Sequence, residues 1–161
     1  MDTVKRMMLT MGFLLACFSA GAQTNLNIGA IFDEYGKQKG SILIELGKDV
    51  LGNHTNIKRY KSLIMPSDTA TLRMTEEAMA RDIKDGRKLL ESRKDGTLES
   101  ASYCLTKDKK SPEYEYLLFS NQSNRMTLIY VKGNFAPNRL EDELYKLKNL
   151  FIKINNKQIK L

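Results

Sequence analysis

Apolar positions recur along this chain in two alternating rhythms. Ile28, Ile31, Phe32 and Tyr35 fall at i, i+3, i+4 and i+7, which predicts a helix over 28–38 with Asn27 as its cap and Gly40 as its stop. Ile42, Leu43, Ile44 and Leu46 predict a mostly buried strand over 41–46. Residues 47–56 hold two Gly and two Asn and read as a loop with at most one helical turn. A second strand is expected over 57–65, ended by Pro66. The longest helical pattern then runs from 75 to 94, with Met79, Ile83, Gly86 and Leu90 as its inner stripe. Glu76, Glu77, Arg81, Asp82, Lys84, Lys88 and Arg93 form its wet face. Gly costs about 1 kcal/mol relative to Ala inside a helix, so Gly86 implies close approach of this helix to the sheet. Asp95-Gly96 is the expected helix stop.

Three strands follow, at 97–105, 113–120 and 125–132, joined by short polar connections that suit an antiparallel meander. Asn138 caps a closing helix in which Leu140, Leu144, Leu147, Phe151 and Ile154 form the cleanest amphipathic stripe of the chain. The expected fold is therefore α+β. It is a single domain over 23–161, with a roughly five-stranded, mainly antiparallel sheet and about three helices in the order αββαβββα. A length of 161 residues and 42% hydrophobic content suit one real core.

The first 22 residues read differently. Lys5 and Arg6 precede an apolar run from 7 to 18, and Ala20-Gly21-Ala22 supplies an A-x-A site. This is the pattern of a secretory signal peptide cleaved between Ala22 and Gln23. The run is too short to span a bilayer, which takes about 20 apolar residues. Leu14-Leu15-Ala16-Cys17 offers a competing reading, a lipoprotein acylated at Cys17. The complete A-x-A site five residues later favours soluble export. Export leaves Cys104 as the lone thiol, so no internal disulfide forms and Cys104 reads as a small buried hydrophobe.

Counting removes most site chemistry. One His and two Cys exclude zinc-finger, ferredoxin and multi-His arrangements. Phosphate-cradling, dinucleotide-binding, zinc-protease and nucleophile-elbow motifs are missing, and no cofactor is expected. His54 lies in the polar stretch Gly52-Asn53-His54-Thr55-Asn56 and reads as a turn residue, with a Cys-His hydrolase as the rival. The formal charge of +7 is not a nucleic-acid signal, because no recognition motif accompanies it and export separates the chain from the chromosome. Lys146, Lys148, Lys153, Lys157 and Lys160 gather charge at the C-terminus. Weak contact with an anionic membrane is one use for them; complementing the helix dipole at a wet helix end is the favoured one. Asn53-His54-Thr55 and Asn121-Gln122-Ser123 match an N-glycosylation sequon that a bacterial export signal makes irrelevant. Asp68-Thr69-Ala70 resembles an O-glycosylation acceptor, with Thr69 as the exposed hydroxyl.

The stretch 31–40 (Ile-Phe-Asp-Glu-Tyr-Gly-Lys-Gln-Lys-Gly), the strand 41–46, Tyr60-Lys61-Ser62-Leu63 and the closing 127–133 together resemble small exported domain-of-unknown-function families of gut Bacteroidetes. That resemblance implies a bacterial envelope protein and transfers no catalytic residue. Alternation sets Tyr114, Tyr116 and Leu118 on one face of their strand and Met126, Leu128 and Tyr130 on one face of the next. Leu117 and Phe119, then Ile129 and Val131, occupy the opposite faces. Three helices can hardly cover both sides of such a sheet. The expectation is an open contact face anchored by Tyr114, Tyr116 and Tyr130, used by a non-catalytic module to bind an envelope protein or a surface glycan. The alternatives are a small periplasmic hydrolase using His54 and an amphiphile carrier near the membrane.

Overall fold

The computed structural model describes residues 26–105 and 112–158, with side chains described as far as residue 150. Cys17, Ala22 and Gln23, the side chains of Phe151, Lys153, Ile154 and Lys157, and Lys160 lie outside the described residues. The elements run α1 (Ile28–Tyr35), β1 (Ile42–Gly47), α2 (Lys48–Leu51), β2 (Ile57–Pro66), α3 (Thr69–Asp82), β3 (Arg87–Lys94), β4 (Thr97–Cys104), β5 (Tyr114–Gln122) and β6 (Arg125–Gly133). A single 3₁₀ turn (Pro137–Arg139) then leads into α4 (Leu140–Gln158). The strands form one fully antiparallel sheet in the order β1-β2-β6-β5-β4-β3. Four strands make a meander, and β6 joins it to the β1–β2 hairpin. The α+β class stands, with six strands and four helices among the described residues where five and three were expected.

The extra strand comes from the long helix expected over 75–94. Its helical part begins six residues earlier, at Thr69, and stops at Asp82; the remainder is β3. Asp68 is the reason for the early start. Its carboxylate accepts from the Thr71 backbone N–H at 2.8 Å, and the Thr71 hydroxyl accepts from the Asp68 N–H at 3.1 Å. This reciprocal cap satisfies two backbone donors of the first turn. Asp95-Gly96 is a hairpin turn and not a helix stop. Both residues have positive φ, 50° and 79°, as the two-residue turn matched to sheet twist requires. Ser123-Asn124 repeats the device between β5 and β6, with φ of 53° and 59°. Gly86 marks a close approach, but of one backbone to another: a Cβ there would lie 2.8 Å from the Cys104 carbonyl oxygen, at the end of β4. Leu90, expected on the inner stripe of a helix, lies on β3 beside Ser102 and is 60% exposed.

One sheet face packs against α1 and α3. Leu63, Met65, Leu98, Ala101, Tyr103, Leu117, Phe119, Met126, Leu128 and Tyr130 meet Ile28, Ile31, Phe32, Ala78 and Met79 there. The other face carries a second cluster. Tyr116, Val131, Cys104 and Ile57 pack under Leu51 of α2, Phe135, and Leu140 and Leu147 of α4.

Two carboxylates moor the helices. Asn27 does not cap α1 with its own side chain. Asp82, at the end of α3, does so from a distance, accepting from the N–H of Asn27 at 2.7 Å and of Ile28 at 2.9 Å. Its Oδ1 also accepts from the Asn27 amide at 2.7 Å. Glu143 of α4 is 0% exposed and accepts from the Asn56 N–H at 2.7 Å, the Asn56 amide at 2.9 Å and Lys146 Nζ at 2.7 Å. Burial alone would raise the Glu143 carboxyl. The Lys146 ammonium and the two Asn56 donors outweigh it and hold the group below the ordinary carboxylate range. Asn138, expected to cap the closing helix, instead sits inside the 3₁₀ turn that precedes it.

Replacing Asp82 by Ala leaves two helix donors unpaired, and urea unfolding should show a loss of about 1 kcal/mol. The Glu143 contribution is complete above the unfolded carboxylate value of about 4.3 and is lost as pH falls through the lower folded value. Stability followed against pH should therefore drop below about pH 4.5, and more shallowly in Glu143→Gln, whose stability at neutral pH is already reduced by about 2 kcal/mol.

Candidate functional site

Residues directly opposite each other in an antiparallel pair point to the same side, so the register resolves each face into rows. On the face that carries α4, three rows cross all six strands. The first is Leu46–Tyr60–Val131–Tyr116–Cys104–Arg87, and it lies in the cluster under α4. The second is Ile44–Ser62–Ile129–Leu118–Ser102–Leu90, and the third is Ile42–Ile64–Thr127–Ser120–Ser100–Ser92. Apart from buried Ser62, every residue in these last two rows is at least partly exposed. Ile42 is 52% exposed at one edge of the sheet and Leu90 60% at the other. Between them Ile44, Ile64, Ile129 and Leu118 are half-buried, interleaved with hydroxyl side chains. Half of this sheet face is thus a partly exposed apolar surface studded with Ser and Thr, and its Ile129 and Leu118 also pack against the cluster under α4.

The tyrosines expected to anchor such a face are elsewhere. Tyr116 pairs with Val131, whereas Tyr130 pairs with Leu117, so Tyr114 and Tyr116 lie on one face and Tyr130 on the other. Tyr116 is 0% exposed and Tyr130 2%. The Tyr116 hydroxyl donates to the Phe135 carbonyl at 2.6 Å, and its ring stacks on Phe135 with centroids 5.1 Å apart. The Tyr130 hydroxyl donates to the Glu115 carboxylate. Burial pushes both phenols upward, and the Glu115 hydrogen bond and charge push Tyr130 further. Tyr114 is half-buried, 6.3 Å from the Tyr116 ring. The aromatic face is corrected to two core tyrosines on opposite sides of the sheet and a third at its rim. Alternation within each strand was legible; which parity of β5 meets which parity of β6 was not.

His54 and Cys104 form no catalytic pair. His54 is exposed and borders a shallow pocket of about 200 Å³ with Lys146, Asn149 and Leu150. Cys104 is buried beside Tyr116, its thiol directed to the Leu105 carbonyl at 3.7 Å. Burial raises that thiol, which opposes the thiolate a nucleophile needs. Among the described residues no three His, Cys, Asp or Glu side chains converge to hold a metal ion. Thr69 is exposed as the first residue of α3. Lys146 is occupied by Glu143, and Lys148 points to solvent.

The sequence matches the family of unknown function DUF6108 over residues 15–144. The chain belongs to that family. Among curated proteins no relative matches. The DUF6108 match spans the whole sheet and the first turn of α4, so the open face lies within it. The family description carries no residue roles, and the site rests on geometry alone. A signal for the open rows was present in the sequence: Ser100, Ser102, Ser120 and Thr127 alternate with core residues along β4, β5 and β6.

Changing Tyr114, Tyr116 and Tyr130 together to Ser removes two filled core positions. We expect loss of the cooperative thermal transition, since each buried aromatic truncation costs about 3–5 kcal/mol. A retained transition with normal circular dichroism would return these rings to the surface.

Proposed function

We propose that this protein is an exported, non-catalytic interaction module of the bacterial envelope, and that it uses the open half of its second sheet face to contact another protein. The row Ile44–Ile129–Leu118–Leu90 carries the reading. Apolar surface of this kind costs solvation unless something covers it, and exposed patches of several hundred Å² commonly mark contact sites. A protein suits it better than a glycan. Sugar rings are held by exposed aromatic faces, and Tyr116 and Tyr130 are in the core. Isoleucine, leucine and small hydroxyls make a flat surface of the sort that packs against another apolar surface.

Export rests on residues 1–22, with cleavage between Ala22 and Gln23, and the resemblance to exported Bacteroidetes families agrees with it. Intact mass of the chain recovered from the envelope separates this from acylation at Cys17. Exposed Thr69 stays the acceptor proposed for an O-glycan, which the same measurement reports.

The double variant Leu90→Ser, Leu118→Ser reduces the apolar row at exposed Leu90 and at Leu118, which also packs against the covered cluster. In cross-linking within envelopes it should lose the partner bands that wild type gives, while it keeps a cooperative thermal transition at a lowered midpoint. Partner bands unchanged in a folded variant would remove the open face as the contact surface.

A further inference from the structure

The two edges of the sheet are built to opposite specifications. β3 carries five charged residues in eight, Arg87, Lys88, Glu91, Arg93 and Lys94. Glu91 is tied to Lys88, Arg93 and the Tyr103 hydroxyl at 2.9–3.0 Å, which holds its carboxyl down to about 2. Charges and bulges of this kind protect an edge from pairing, and β3 has two register irregularities as well. β1, Ile-Leu-Ile-Glu-Leu-Gly, has one charge and no bulge. Its register with β2 is unbroken from Ile42 to Gly47, and among the described residues its other side pairs with no strand. Its single charge, Glu45, is already neutralised by Lys61 at 2.6 Å.

We infer that β1 pairs antiparallel with β1 of a second copy of this chain, across a two-fold axis at Ile44, joining the two sheets into one of twelve strands. Faces match only when paired residue numbers have the same parity. Centring on Ile44 sets Ile42 opposite Leu46 and Ile44 opposite its own copy on the open face. Leu43 then lies opposite Glu45 on the other face, beside the neutralising Lys61. Shifting the centre to Glu45 would oppose two carboxylates. Shifting it to Leu43 would set Leu46 against Gly40, whose φ of +86° is not a strand conformation. The register centred on Ile44 therefore keeps the most apolar pairs and opposes no like charges. It also runs the row from Leu90 to Ile44 straight into the same row of the partner, doubling the open face. A six-residue edge is about 20 Å long and buries less than the roughly 1,600 Å² of a stable interface, so the dimer should be concentration-dependent.

The test uses the chain expressed with its own leader and recovered from the envelope. Sedimentation velocity should show the mass rising from one copy to two with concentration. I44C should cross-link under mild oxidation or with a short bis-maleimide, peptide mass placing the link between the two position-44 thiols. L90C, at the charged edge and more exposed than position 44, should not. Ile44→Lys should weaken association at least ten-fold while leaving the circular dichroism unchanged. A wild-type mass of one copy throughout, or I44C linking no better than L90C, overturns the inference. Neither result bears on the Leu90→Ser, Leu118→Ser experiment, which interrogates the face and not the edge.

Discussion

The pairing of β2 with β6 is the constraint on which everything else in this fold depends. Without it the β1–β2 hairpin and the β3–β6 meander would be separate ribbons, too small to bury either face. The pairing sets Leu63 beside Leu128 and Met65 beside Met126 on one side, and Tyr60 beside Val131 on the other. Leu63, Leu128, Met126 and Val131 are each fully buried. A slip of one residue would turn each of them to the opposite face, so the two apolar faces lock the register as firmly as the hydrogen bonds do.

Two apolar faces also demand two cover layers, and the described residues supply one and a half. α1 and α3 close the first face; α4 and α2 close one end of the second. The helices are held by carboxylates reaching across long stretches of sequence. Asp82 is 55 residues from Asn27, and Glu143 is 87 from Asn56. In both cases an acidic side chain meets backbone donors that local structure leaves unpaired, so the mooring satisfies a buried group while it fixes a helix.

What remains uncovered is therefore a result of topology. α4 leaves β6 at the end of the sheet where Val131 and Tyr116 lie, and Glu143 holds it to the Asn56 turn at that same end. The rows through Ile44 and Ile42 lie farther along the strands. Their Ser and Thr side chains let a half-apolar face stay in water, and their Ile and Leu side chains keep it able to receive another surface.

Local signals determined much of this molecule. The stripe of α1, the strands β1, β2, β4, β5 and β6, and the apolar face of α4 from Leu140 to Leu147 were all legible, because each rests on a period set by its own backbone. Three features lay beyond that reach. Arg87 to Lys94 are mostly good helix formers, yet the Asp95-Gly96 turn and pairing with β4 make them a strand; partner hydrogen bonds outweigh propensities of a few tenths of a kcal/mol per residue. The caps from Asp82 and Glu143 join positions that no sequence window connects. Tyr116 and Tyr130 looked like neighbours because alternation gives each strand two faces. Only register, a relation between strands, assigns those faces to sides of the sheet, and it sent the two rings to opposite cores.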